Sequence, residues 1–165
     1  MPTQELLDAA TNVLDACKRK KLKVATAESC TGGLVAGALT EINGASHVVE
    51  RGFVTYSNEA KQDMLGVPAD ILKRHGAVSR PTAEAMARGA LANARADIAV
   101  AITGIAGPGG GSADKPVGLV HFAAASRRGD LVHCERRYGD LGRAEVRHKS
   151  VLQALAMLKE MAEKI

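Results

Sequence analysis

The first stretch able to do chemistry is Ala27-Glu28-Ser29-Cys30-Thr31-Gly32-Gly33. A short strand-like run, Lys23 to Glu28, ends there, and an apolar, small-residue helix is predicted from Thr31 to Ile42. The first N–H groups of a helix have no partner inside it, and such donors can hold an oxyanion when a nucleophile attacks a carbonyl beside them. Ser29 stands where that nucleophile belongs. Thr31, Gly32 and Gly33 supply the N–H groups, and the two glycines let a substrate approach the backbone. Serine in front of a helix also serves as a plain N-cap, and the local pattern alone leaves both readings open.

A serine nucleophile needs a base. The five histidines, at 47, 75, 121, 133 and 148, are scattered and none is an obvious partner. Thr55 to Lys61 (TYSNEAK) offers Tyr56 at a strand end and Lys61 about one helical turn later. A desolvated lysine loses its proton and acts as a base, and a tyrosine hydroxyl can relay that proton or hold the amine. Read alone, the same residues are equally a surface lysine and an edge aromatic.

The third stretch is Thr103 to Gly118 (TGIAGPGGGSADKPVG), after the apolar run Asp97 to Thr103. Ligand sites of α/β folds form where such strands end, and backbone N–H groups of a Gly-rich loop can cradle an anion. Thr103, Gly104, Gly107, Gly109 and Gly110 are its candidate contacts. No Gly-Lys-Ser/Thr follows, so it is not a P-loop, and its glycine spacing is not that of a dinucleotide fingerprint. Arg143 and Arg147 are four apart on one helix face and could hold a phosphate. No HExxH, HxxxH or CxxC occurs, so hydrolysis at these residues is expected to run without metal or cofactor.

These residues need a frame. Thr3 is placed to cap a helix whose Leu6, Ala10, Val13, Leu14 and Cys17 share a face. Strands are predicted at Lys23–Glu28, Val48–Tyr56, Asp97–Thr103, Val117–Ala125 and Leu131–Tyr138. Helices are predicted at Asn58–Leu65 with Asn58 as cap, at Pro68–His75, at Pro81–Arg95 and at Arg143–Ile165. Interleaved helices and strands with a late hairpin specify an α/β fold: a three-layer α/β/α sandwich around a mixed, mostly parallel sheet of about five to six strands. One domain spanning residues 1–165 is expected, without repeat or linker.

Composition narrows the classes. The chain has 165 residues, 46% hydrophobic, with 22 Lys+Arg against 18 Asp+Glu and a formal charge of +4. That apolar fraction excludes intrinsic disorder, and no apolar run approaches the length of a membrane span. Cys17, Cys30 and Cys134 are too few and too irregular for a disulfide scaffold. They suit a reducing cytoplasm, and no secretory signal is visible. The basic run Lys18-Arg19-Lys20-Lys21-Leu22-Lys23 reads as a helix end. With two Phe, two Tyr and no Trp, little is left for stacking bases, and nucleic acid is not an expected partner.

Taken together, AESCTGGL, RGFVTYSNEAK, AVSRPTAEAMA, AITGIAGPGGGSADKPVGLVHFA and GRAEVRHKSV resemble the nicotinamide-nucleotide amidase family. This is the C-terminal domain of the competence/damage-inducible protein CinA and its stand-alone relatives. The resemblance runs from about Leu6 to Leu158. It implies hydrolysis of the carboxamide of nicotinamide mononucleotide to nicotinic acid mononucleotide and ammonia, within pyridine-nucleotide salvage. It also implies the three-layer fold, a homo-oligomer, and the family's serine, tyrosine and lysine at Ser29, Tyr56 and Lys61. The stretch Tyr138-Gly139-Asp140-Leu141-Gly142 departs from a more compact Gly-Asp-Arg in relatives, which leaves Arg147 as the preferred phosphate contact. Activities of the additional N-terminal domain of two-domain relatives do not carry over.

Two other classes fit the same residues. A nucleotide-sensing module would use the Gly-rich loop and arginines, with Ser29 only a cap. A binding domain tied to competence or DNA damage would use the Lys18–Lys23 patch in a salt-dependent way. A penicillin-recognising site is excluded by Gly32, which stands where a lysine three residues after the serine is required.

Overall fold

The computed structural model describes residues 2–165. Five strands, β1 (Val24–Glu28), β2 (Val49–Val54), β3 (Ile98–Gly104), β4 (Leu119–Ser126) and β5 (Leu131–Arg137), form one sheet in the order β2-β1-β3-β4-β5. β1 pairs in parallel with β2 and β3, whereas β4 is antiparallel to both β3 and β5. Four strands therefore point one way and only β4 is reversed, as the late hairpin requires.

Six helices cover the sheet: α1 (Gln4–Arg19), α2 (Leu34–Thr40), α3 (Asn58–Leu65), α4 (Ala69–His75), α5 (Arg80–Ala92) and α6 (Arg143–Lys164). One layer holds α1, α2 and α6; the other holds α3, α4 and α5. Strand alternation divides the core by size. Val24, Ile98, Val100, Ile102, Val120 and Phe122 face the first layer, and Ala25, Ala27, Ala99, Ala101, Ala123 and Ala125 face the second. No described helix is long and apolar enough to cross a membrane.

Local signals act largely where the sequence places them. Thr3 Oγ1 accepts the Leu6 N–H at 3.2 Å and starts α1. The basic run ends α1, and Lys20 Nζ reaches the carbonyls of Ala162, Glu163 and Ile165 at 2.8, 3.0 and 2.5 Å. That ammonium meets the negative end of the α6 dipole, so the run closes two helices. The cap of α3 is Ser57, not Asn58: Ser57 Oγ accepts the Ala60 N–H at 3.0 Å. α2 starts at Leu34 rather than Thr31, because residues 29–33 turn sharply first.

Candidate active site

β1 is flanked by parallel strands on both sides, and the three carboxyl ends lie together. α2 leads from β1 outward to β2, while β3 continues into the Gly-rich loop and β4 on the other side. The crevice between β1 and β3 is therefore where an open α/β sheet places its ligand. Ser29 sits there, one residue past β1, and its N–H extends the ladder to the Ile102 carbonyl at 3.0 Å. A cleft of about 260 Å³ opens over it.

The opposite wall comes from β2 and α3. Past β2 the chain runs through Thr55, Tyr56 and Ser57 into α3, which turns Lys61 inward until it is 1% exposed. Lys61 Nζ lies 3.0 Å from Ser29 Oγ, 2.8 Å from the Thr55 carbonyl and 3.2 Å from the Tyr56 carbonyl. No carboxylate pairs with it. Burial pushes the amine below its usual value, because desolvation disfavours the charged form. A neutral amine has two protons and one lone pair. In that form, with its two protons on the Thr55 and Tyr56 carbonyls, the amine would turn its lone pair to the Ser29 hydroxyl.

Tyr56 is at the site by its backbone. Its ring is 62% exposed, and its hydroxyl accepts from Arg143 Nη2 at 3.1 Å. The serine and lysine touch directly, so no tyrosine relay stands between them. Cys30, the nearest thiol, is held protonated, its pKa pushed up to about 11 by burial.

The turn after Ser29 departs from expectation. The Gly32 N–H donates to the Ser29 carbonyl at 3.0 Å. The carboxylate of Glu28, 0% exposed, accepts from Thr31 Oγ1 at 2.6 Å, Val35 N–H at 2.9 Å and Ala36 N–H at 3.1 Å. The start of α2 is thus neutralised by the protein's own carboxylate, and Thr31, Gly32 and Gly33 lie outside the cleft lining. Arg147 is also outside it: its Nε donates to the Cys30 carbonyl at 3.1 Å, bracing the Ser29 turn from behind.

The Gly-rich loop forms the remaining wall. Thr103, Gly104, Gly107, Gly109 and Gly110 all line the cleft. Thr103 Oγ1 donates to the Ala77 carbonyl at 2.8 Å, tying the α4–α5 connection to β3. Gly107 has φ +86°, and a Cβ there would stand 2.5 Å from Val117, so packing as well as conformation demands glycine. The N–H groups of Ala106, Gly107, Gly109 and Gly110 have no hydrogen-bond partner among the described residues.

Some lining residues are ones the sequence did not prefer or did not mark. Arg143 lines the cleft and links the Gly107 carbonyl, at 2.9 Å, to Tyr56. The spacing of Arg143 and Arg147 marked both, and only the start of α6 decides which one faces in. Ala77, Val78, Ile105 and Ala106 supply apolar wall; nothing local distinguishes them from core residues. Among the described residues no cluster of His, Cys, Asp or Glu is arranged to hold a metal.

A buried serine–lysine contact at the carboxyl ends of parallel strands defines a hydrolase-like class of site. The CinA C-terminal domain profile matches residues 7–162, and the chain belongs to that family. It is 52% identical to the nicotinamide-nucleotide amidohydrolase PncC of Escherichia coli K12 over 96% of this chain and 95% of that protein. It is 59% identical to a putative competence-damage inducible protein of Caldicellulosiruptor bescii over 70% of this chain, spanning only 28% of that longer protein. The crystal structure of the competence/damage inducible protein CihA from Agrobacterium tumefaciens superposes with a TM-score of 0.96 at 56% identity, covering 98% of both chains.

Proposed function

We propose that the protein is a nicotinamide-nucleotide amidohydrolase that converts nicotinamide mononucleotide to nicotinic acid mononucleotide and ammonia through a Ser29 acyl-enzyme. The observation that carries the reading is the 3.0 Å contact between Ser29 Oγ and a buried lysine amine whose other partners are carbonyls. The E. coli relative of nearly equal length, named for this reaction, supplies the substrate.

In this mechanism neutral Lys61 takes the Ser29 proton as Oγ attacks the carboxamide carbon. Its carbonyl oxygen becomes the oxyanion. With the α2 terminus already neutralised by Glu28, the donors are the Cys30 N–H and a loop N–H at Ala106, the two-segment arrangement known from other serine hydrolases. Such a donor contributes about 3–4 kcal/mol. Lys61 then returns its proton to nitrogen, the C–N bond breaks and ammonia leaves. Water gives a proton to Lys61 and attacks the acyl carbon; Lys61 passes that proton to Ser29 Oγ as the Ser29–acyl bond breaks, releasing the acid and restoring the neutral amine. Val78, Ile105 and Ala106 flank the ring, while the unpartnered N–H groups of Gly107, Gly109 and Gly110, with Arg143, face the 5′-phosphate. The reading carries with it the cytoplasm as compartment and a homo-oligomeric state, which sedimentation measures directly.

The test is ammonia release from nicotinamide mononucleotide in the presence of EDTA, by the wild type and by Ser29→Ala. Release by wild type alone is expected. Release by the variant at the same rate overturns the nucleophile assignment, and a silent wild type that still binds the nucleotide in calorimetry overturns the enzyme reading.

A further inference from the structure

On the other side of Val78 from the catalytic cleft lies a second cavity, of about 410 Å³. The end of α4, the start of α5, the Gly-rich loop, β4 and β5 converge on it. Arg74, Arg80, Lys115 and Arg137 face it, against the two carboxylates Asp114 and Glu135. Permanent cations outnumber anions there by two to one, and the proposed chemistry uses none of them.

Its floor is His121, only 7% exposed. His121 Nδ1 is hydrogen-bonded to His133 Nε2 at 2.9 Å, with the rings stacked 5.1 Å apart. The other ring nitrogen, Nε2, has no hydrogen bond; its ion-pair neighbour, Glu135 Oε1, stands 3.6 Å away. When the His133 Nε2–H donates to His121 Nδ1, the His121 proton is fixed on Nε2, facing the cavity beside Glu135 Oε1, which stands beyond hydrogen-bond distance. Burial holds both histidines below their usual value, with His133 itself adding to the effect on His121.

We propose that this cavity is a binding site for a phosphate group, held by His121 Nε2–H and the guanidinium groups of Arg80 and Arg137, with Lys115 at its edge. The arginines are engaged at present with Glu84 at 3.3 Å and Glu135 at 3.2 Å. Exposed pairs of this kind contribute little, and a phosphate with forked, charge-assisted contacts replaces them. The site also communicates with the catalytic cleft. Lys115 Nζ donates to the His75 carbonyl at 2.5 Å, beside Gly76, and the next residues, Ala77 and Val78, line the cleft. The phosphate has two sources: a separate phosphorylated ligand, or the nucleotide's own 5′-phosphate reaching past Val78, which would then sit here instead of against the loop N–H groups and Arg143.

Calorimetric titration with inorganic phosphate at constant ionic strength tests the site. Saturable binding is expected in the wild type and in Arg143→Gln. It is expected to weaken about tenfold or more in Arg80→Gln/Arg137→Gln, whose side chains are exposed and whose folding is checked by circular dichroism. Absence of saturable binding overturns the proposal. So does loss in Arg143→Gln with retention in the double variant, which would assign the phosphate to the catalytic cleft. In a Ser29→Ala background, affinity for nicotinamide mononucleotide separates the sources. A fall caused by the double substitution gives the site to the nucleotide's own phosphate. An unchanged affinity beside lost phosphate binding gives it to a separate ligand, and both results support the site. Binding is read without turnover, so failure of the amidase reading leaves this test intact.

Discussion

The two faces of the sheet are built from different materials and serve different ends. Toward α1, α2 and α6 the strands present valine, isoleucine and phenylalanine; toward α3, α4 and α5 they present alanine. Large side chains stabilise the first face by buried area. The second draws its helices close and gains its fit from small residues. Gly89 on α5 shows how close: a Cβ there would stand 2.0 Å from the Leu65 carbonyl at the end of α3. Since α3 carries Lys61, the alanine face is the one that brings Lys61 to Ser29. The same contrast separates the two buried charge-bearing groups beside Ser29. Glu28 is satisfied by three donors and shapes the turn, whereas Lys61 is desolvated without a counter-charge and holds its proton less tightly than usual.

The sharpest way to break this comparison is at the site. Ser29→Ala and Lys61→Met are each expected to lower kcat by about four to six orders of magnitude, measured as ammonia release. They should part in stability. Lys61→Met removes a desolvated amine and keeps its volume, so its denaturation midpoint should match or exceed that of the wild type.

Stability separates the two faces next. Leu155→Ala, in the large-residue layer, is expected to cost about 2–5 kcal/mol by urea denaturation, with kcat per folded molecule unchanged. Gly89→Ala adds a single methyl group but forces α3 from α5; it is expected to cost about 3 kcal/mol and to lower kcat as well, because Lys61 moves with α3. A Gly89→Ala protein with wild-type kcat would detach the alanine face from the chemistry.

The smallest effect is a pH dependence. Folding holds the Lys61 amine below its usual 10.5, so the unfolded chain binds that proton more readily. Stability therefore rises with pH between the lowered folded value and 10.5. The stability advantage of Lys61→Met should be largest at neutral pH and shrink as pH approaches 10.5, read by denaturation of both proteins across that range. Activity of the wild type should rise in the same direction, as the amine becomes a base.

Much of this was legible in the residues. The continuous apolar run Asp97–Thr103 reads as a strand covered on both faces, and β3 is that strand. Ser29, Tyr56, Lys61 and the glycine loop were marked by the turn, strand-end and loop patterns around them, and they meet at one cleft. What misled was local reasoning about the helix terminus. Free N–H groups are expected at the start of any helix, but Glu28 folds back and takes those of Val35 and Ala36. Arg143 and Arg147 were equivalent by spacing, and the family's Gly-Asp-Arg pattern pointed to the wrong one for the cleft. Val78 and Ile105 carry no chemical signature at all.

The sequence by itself determined which segments become helices and strands, because periodicity, caps and glycines act over a few residues. It also determined the inventory of reactive groups. Tertiary structure decided which groups meet. Residues 29 and 61 come within 3.0 Å only because β2 and α3 return alongside β1. Lys61 holds its proton less tightly than a surface lysine only because that return strips water from its amine, and desolvation depends on everything packed around a group, not on its neighbours in the chain.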